Sequence, residues 1–323
     1  MSKISTHKLT SDFGIEVRQG LTNFPKHLSS KYFYDKVGDE LFQDIMAMPE
    51  YYLTDAEFNI LEEHKEEIGK LFSEGSETFN LIELGAGDGK KTKIILKELS
   101  DTQIDFTYLP IDISQNALDQ LTQTIENELP TVHTKALQGT YFETLSTFNE
   151  FNYTKKIILF LGSNIGNLLH EQAINFLRSV QEIMLEDDLL FLGVDQKKHP
   201  QSILDAYNDP TGITEAFNKN ILVRINNELG GDFNTDNFLH WEVYDPETGT
   251  AKSYLVSKQA QEVTIEKLSL KVNFKPWETI HTEISQKYDD EIMEWLAQES
   301  GLRVKTEFSD DLNQFKNYVL KKK

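Results

Sequence analysis

Cysteine is absent from this 323-residue chain, which excludes disulfides, thiolate metal ligands and a cysteine nucleophile. No apolar run is long enough to cross a bilayer, and no secretory apolar region opens the sequence. A cytoplasmic protein without a membrane partner is therefore expected. Basic residues are scarce: 32 Lys and Arg stand against 53 Asp and Glu, a formal net charge of −21. Affinity for a phosphate backbone comes largely from Lys and Arg releasing counterions, so a nucleic-acid partner is disfavoured. None of the 8 histidines sits at metal-ligand spacing with a second ligand, and no metal is expected. The sequence does have a hydrophobic content of 39% and an aromatic content of 11%, and a length that allows a well-buried core and two domains.

The most informative stretch is Leu81-Ile82-Glu83-Leu84-Gly85-Ala86-Gly87-Asp88-Gly89-Lys90-Lys91-Thr92, an apolar run that breaks into glycines and then opens a helical segment. Glycines let a backbone approach a ligand closely, and a helix start presents N–H groups beside it. A dinucleotide fingerprint beginning at Gly85 would need glycine where Lys90 stands, and a P-loop would need glycine at Leu84 and a hydroxyl residue at Lys91. What remains is E-x-G-x-G after a strand, which suits S-adenosylmethionine. An acid after the next strand takes the ribose hydroxyls in such a site, and the run Phe106 to Ile111 ends in Asp112. The plainer alternative is a tight strand-to-helix turn followed by a helix-capping Asp.

From Asn80 to Asp195 strand-like segments (Leu81 to Leu84, Phe106 to Ile111, Lys156 to Leu161, Leu189 to Val194) alternate with helical periodicity over Lys91 to Leu99, Ala117 to Leu129 and Glu171 to Met184. This is the α/β pattern of a parallel sheet with crossover helices, and Ser114 is placed to cap the second helix. Beyond Asp195 come a long helix, Ile213 to Leu229, and segments at Trp241 to Tyr244, Lys252 to Ser257 and Glu262 to Phe274 with antiparallel character. A helix at Asp289 to Glu299 and a closing strand pair, Leu302 to Phe308 with Phe315 to Leu320, can rejoin the sheet.

Several further segments are specific: Lys31-Tyr32-Phe33-Tyr34-Asp35, Pro49-Glu50-Tyr51-Tyr52, Phe160-Leu161-Gly162-Ser163-Asn164-Ile165-Gly166-Asn167, Ala206-Tyr207-Asn208-Asp209, Gly212-Ile213-Thr214-Glu215-Ala216-Phe217-Asn218 and Thr282-Glu283-Ile284-Ser285-Gln286-Lys287. In this order, over nearly the whole chain, they resemble the histidine-specific Nα-methyltransferases of ergothioneine biosynthesis. The resemblance implies a class I methyltransferase domain with a Rossmann-like sheet (58–197 and 287–323) and a second, α+β substrate-binding domain (1–57 and 198–286). It implies S-adenosylmethionine as cofactor, L-histidine as substrate, three transfers to its α-amino group, and a monomer.

Carried over by position, the resemblance puts Gly85, Gly87, Lys91 and Asp112 at the cofactor, with Thr140 and Tyr141 at the adenine edge. The family usually has Asp followed by Phe there, and Thr140 is a neutral and weaker acceptor. Tyr51, Asn167 and Tyr207 match positions for the backbone end of the amino acid, Glu283 and Ser285 match those for the imidazole, and Phe42, Gly162 and Thr214 complete the substrate set. Residues two apart on a strand share a face, and a carboxylate with a hydroxyl can serve the two ring nitrogens. Tyr34 is the candidate catalytic residue, hydrogen bonding the amine. Ser253 stands where the family suggests Met, which leaves methylation of another small amino acid open. The Thr140 departure leaves open a protein that binds the cofactor without catalysis. Without the resemblance, Tyr34 and Tyr51 read as half-buried aromatics, Tyr207 as packing, Asn167 as a helix cap, Lys91 as a first-turn lysine, and Glu283 as a solvated strand residue.

Overall fold

The computed structural model describes residues 11–140, 144 and 154–323. The chain forms two compact units, one made of the stretch up to Tyr52 with His199–Ser285 and the other of Leu53–Lys198 with Gln286–Lys323. In the first unit, α1 (Asp12–Thr22) and α2 (Lys36–Met46) flank the short β1 (Lys26–His27). The second unit opens with α3 (Leu53–Ser73), which packs on the sheet and on the next helix, so the division falls at Leu53 and not at residue 58.

The second unit continues as β2 (Thr78–Leu84), α4 (Thr92–Asp101), β3 (Asp105–Asp112), α5 (Gln115–Glu128), β4 (His133–Thr134), β5 (Leu137–Gln138), β6 (Lys155–Phe160), α6 (His170–Ile183) and β7 (Leu189–Asp195). Ser114 caps α5 by accepting the Ala117 N–H at 3.2 Å, as Ser and Asp do where helix N–H groups lack partners. Every residue of β7, and every residue of β2 after Thr78, is buried; strands covered on both faces read as continuous apolar runs. The unit closes after α9 (Asp290–Glu299) with β13 (Leu302–Ser309) and β14 (Phe315–Lys322).

The sheet order in this unit is β13-β14-β7-β6-β2-β3-β4, with β5 also on β3. β2 is parallel to β3 and β6, β6 is parallel to β7, and β14 runs antiparallel to both β7 and β13. This is a class I, Rossmann-like methyltransferase sheet. Its core joins Ile82, Leu109, Ile158, Leu190 and Tyr318 with Phe176 and Leu296 from the covering helices. The order reverses at β2, so the carboxyl ends of β2, β3 and β6 frame the crevice where such sheets take ligands.

The rest of the first unit comprises α7 (Pro200–Tyr207), α8 (Ile213–Leu229), β8 (Phe238–Asp245), β9 (Thr250–Ser257), β10 (Gln261–Ile265), β11 (Leu270–Phe274) and β12 (Thr279–Gln286). Its main sheet has the order β1-β12-β9-β8, and β10-β11 form a separate hairpin. The stretch from Glu262 to Phe274 is thus two strands, divided by a 3-10 turn and by Ser269 at φ 46°. Phe217, Ile221 and Ile225 of α8 share the core of this unit with Phe238, Leu255 and Ile280. Among the described residues no helix is long and apolar enough to cross a membrane, and no group of His, Cys, Asp and Glu is arranged to hold a metal ion.

Candidate active site

The glycine turn after β2 is held by its neighbours. Gly85 and Ala86 donate their N–H groups to the Ile111 carbonyl at 2.8 and 3.1 Å. Gly85, Gly87 and Gly89 take positive φ (75°, 54° and 64°), a region that other residues enter only with strain. Gly89 abuts the Leu121 side chain, whereas nothing lies within 4 Å of where a side chain on Gly87 would begin. Gly87 therefore forms an open floor to the loop. Asp112, at the end of β3, accepts the Gly87 N–H at 3.1 Å through one oxygen and the Ser114 N–H at 2.9 Å through the other. Its carboxylate is fixed beside the glycines, and each oxygen keeps a second lone pair for a hydroxyl.

Glu83, one residue before the end of β2, is buried and accepts hydrogen bonds from the Thr92 and Tyr108 hydroxyls. Burial pushes its carboxyl up to about 7, against the opposing effect of those two donors. It ties the strand to α4 and to β3 from beneath the loop. Thr140 is exposed and follows Gly139, whose N–H reaches the Asp112 carbonyl at 3.1 Å, so it lies on the same rim of the sheet. Tyr141 lies outside the described residues.

A residue that sequence reasoning missed organises the remainder of this rim. Glu57 of α3 is fully buried, and its Oε2 accepts from the Lys91 ammonium and from the Gly162 N–H at 2.8 Å. Its Oε1 accepts from Asn317 at 2.9 Å and fills the space that a side chain on Gly193 would need. Lys91 and Gly162, assigned above to cofactor and substrate, thus share one carboxylate. Gly162 turns at φ 72° after β6, and Asn167 is exposed at the end of a 3-10 turn, Asn164–Asn167. Asn167 does not cap the following helix, whose N-cap is Leu169. The sequence signal for Glu57 is an acid on the apolar stripe of Leu53, Ala56, Ile60 and Leu61; an acid at such a position is seldom buried unless paired.

At the end of β7, buried Asp195 pairs with Lys287 at 2.8 Å and with Lys198, and its N–H donates to the Ser163 hydroxyl at 3.0 Å. Burial alone would raise the Asp195 carboxyl; the two ammonium groups outweigh it and hold the carboxyl below the usual range. Burial in turn lowers Lys198 to about 8, with Asp195 opposing that fall.

In the first unit a run of rings connects most of the substrate-side residues. Tyr34 meets Phe42 and Phe217 edge-on at 5.4 and 5.6 Å between centroids. Phe42 meets Tyr51 at 6.3 Å, and Tyr51 meets Tyr207 at 6.3 Å. The Tyr207 hydroxyl then lies 2.8 Å from Ser285 Oγ. Glu283 approaches Ser253, whose hydroxyl is 3.3 Å away and is also 2.7 Å from Glu242 on β8. Burial on β12 alternates as far as Thr282 and then loses its period, since Glu283 and Ile284 are both half-buried. Glu283 and Ser285 are accordingly joined to the unit through separate partners, Ser253 and Tyr207.

His240 supports Tyr207 from behind. Its Nε2 is 2.9 Å from the Tyr207 carbonyl and its Nδ1 is 2.8 Å from the Asn218 amide nitrogen. A carbonyl only accepts and an amide nitrogen only donates, so Nε2 carries the proton and the ring is neutral. Burial lowers the His240 pKa in the same sense. Thr214 stands apart from the rings: its N–H and hydroxyl both donate to Asp209, at 2.8 and 2.7 Å, in the cap of α8. His240 and Glu242 carry no local motif, and only the pairing of α8, β8 and β9 reveals them.

The chain is similar to known methyltransferases along most of its length. It is 34% identical to a histidine N-alpha-methyltransferase of Mycolicibacterium smegmatis, over 93% of this chain and 92% of that one. It is 32% identical to the protein of the same name from Mycobacterium tuberculosis, over the same shares. An L-tryptophan methyltransferase of Psilocybe serbica is 28% identical over 93% of this chain and 90% of that one. The model of the S-adenosylmethionine-dependent, histidine-specific methyltransferases matches residues 13–322, and the chain belongs to that family.

Proposed function

We propose that this protein transfers methyl groups from S-adenosylmethionine to the α-amino nitrogen of L-histidine, three times in succession, giving the trimethylated betaine. The observation that carries the reading is the linked set Tyr34, Phe42, Tyr51, Tyr207 and Ser285, which combines aromatic faces for a quaternary ammonium with polar groups for an amino acid. The open turn at Gly87 and the fixed carboxylate of Asp112 suit an amino acid moiety and a ribose, and we assign Gly85, Gly87, Asp112 and Thr140 to the cofactor. When bound, the cofactor supplies an electrophilic methyl on a sulfonium.

The task left to the chain is to present a neutral amine in line with that methyl. The free α-ammonium has a pKa of about 8 or above, so the nitrogen sheds a proton before each of the three attacks. We assign Tyr34, 40% exposed at the end of the ring series, to hold that nitrogen by a hydrogen bond through its turnover. Phe42 and Tyr51 present faces to the growing cation, each worth about 1 kcal/mol. Tyr51, Asn167 and Tyr207 are assigned to the carboxylate end, and Glu283 with Ser285 to the imidazole. Lys91 and Gly162 act from the Glu57 network, and Thr214 acts by building the start of α8. The reading makes the protein a cytoplasmic monomer without a nucleic-acid partner, which light scattering and a filter-binding assay test.

Incubation with L-histidine and S-adenosylmethionine, read by mass spectrometry, is expected to give products carrying one, two and three added methyls. The absence of any methylated histidine sinks the proposal. A second reading, methylation of another amino acid, draws on Ser253 in the ring pocket and on the similarity to the tryptophan enzyme. A panel of amino acids in the same assay separates the two.

A further inference from the structure

We propose that Glu242, adding its charge to that of Glu283 on either side of Ser253, makes the ring pocket bind histidine in its cationic, imidazolium form; the inference rests on the histidine reading above. Ser253 is 3% exposed, and Glu242, its register partner across β8 and β9, is 8% exposed. The Ser253 hydroxyl lies 2.7 Å from Glu242 Oε2 and 3.3 Å from Glu283 Oε2. A serine has one proton and donates to one acceptor at a time. The shorter distance gives that proton to Glu242. A carboxylate has about four lone-pair sites, so Glu283 can accept from the ring beside the contacts it already makes. Lys252 and Tyr254, the neighbours of Ser253 along the strand, fall on the opposite face by alternation.

Two carboxylates converging on one buried hydroxyl repel each other, and a cation brought in by the ligand offsets that repulsion. A neutral imidazole offers one N–H, whereas an imidazolium offers two together with the positive charge. The second N–H has a matching acceptor. Ser285 and Tyr207 share a hydrogen bond in which either oxygen can donate, and when Ser285 donates, its lone pairs are turned to the ring. Glu242 is thus a positioning residue: it orients the Ser253 proton and adds the second negative charge, and it selects an amino acid whose side chain arrives as a cation with two donors. An indole or phenyl ring meets neither demand.

The test uses the full chain with S-adenosylhomocysteine and L-histidine labelled with 15N in the ring, observed by NMR at pH 8. The two ring nitrogens resonate close together in imidazolium and far apart in a neutral tautomer. The wild type is expected to hold imidazolium, and Glu242→Gln to hold a neutral tautomer with histidine affinity reduced about tenfold, the equivalent of one pKa unit. A neutral ring in the wild type, or imidazolium with unchanged affinity in Glu242→Gln, overturns the inference. Should Glu242→Gln fail to bind S-adenosylhomocysteine, Ser253→Ala decides: with both carboxylates retained the ring is expected to stay cationic, and a neutral ring overturns the inference. Failure of histidine to bind the wild type at all would instead refute the histidine reading itself.

Discussion

Replacing Glu57 by Gln tests whether the glycine loop and the turn after β6 are held by one buried carboxylate. Glu57 accepts from Lys91, from the Gly162 N–H at 2.8 Å and from Asn317 at 2.9 Å, and none of its surface is exposed. The amide keeps the shape but loses the charge, and its NH2 must face one of three donors. Removing one partner of a buried ion pair costs about 3–5 kcal/mol. The Lys91 side chain is 21% exposed and recovers some hydration, so the lower end of that range, about 3 kcal/mol, is expected. In a unit of this size that corresponds to a fall in Tm of about 6–12 °C, and urea unfolding gives the free energy directly. Because Lys91 opens α4 directly after the glycines, affinity for S-adenosylhomocysteine is expected to fall about tenfold by titration calorimetry, a factor equal to about 1.4 kcal/mol. A stability loss under about 1 kcal/mol with unchanged affinity would show that the Glu57 contacts do not constrain the loop, and would refute the reasoning.

Glu83 is expected to make stability fall as pH rises. Its folded pKa is raised from 4.5 to about 7, so the folded chain holds a proton that the unfolded chain has released. The difference grows between pH 4.5 and 7 and is worth about 3 kcal/mol at most; subtracting the pH profile of Glu83→Gln from the wild type should isolate it, and coincident profiles would count against it. For His240 the shift is in the other direction: a lowered folded pKa contributes stability above the unfolded value of 6.5 and loses it as pH falls through the folded pKa. Protonation also sets an N–H against the Asn218 donor, so the free energy of urea unfolding should fall at acidic pH together with the titration of the His240 ring, followed by NMR. Ser285→Ala and Tyr207→Phe each remove one side of a 2.8 Å hydrogen bond. Both should raise KM for histidine about tenfold and leave that for S-adenosylmethionine unchanged; an equal rise in both constants would argue against a substrate-side role. Asp209→Ala removes the acceptor of the Thr214 N–H and hydroxyl in the cap of α8 and should cost about 1–2 kcal/mol, read by urea unfolding.

What the sequence determined by itself was local. Continuous apolar runs specify strands buried on both faces, and those ending at Leu84, Asp112, Phe160 and Asp195 were legible for that reason. A helix of 3.6-residue period between its glycines identifies α8 from Ile213 to Leu229, and the glycine turn followed by the acid at Asp112 is legible through backbone conformation alone. Tertiary structure decided which distant polar groups meet. Glu57 reads as one acid on a helix until Lys91, Gly162 and Asn317 surround it, and Glu242 reads as a strand residue until the register of β8 with β9 sets it opposite Ser253. Thr214, marked for substrate, has its donors drawn into a helix cap by Asp209. The reason is one of range: backbone preference and hydrophobic period act within about one turn or one strand, whereas a buried charge is settled only by partners brought from elsewhere in the chain.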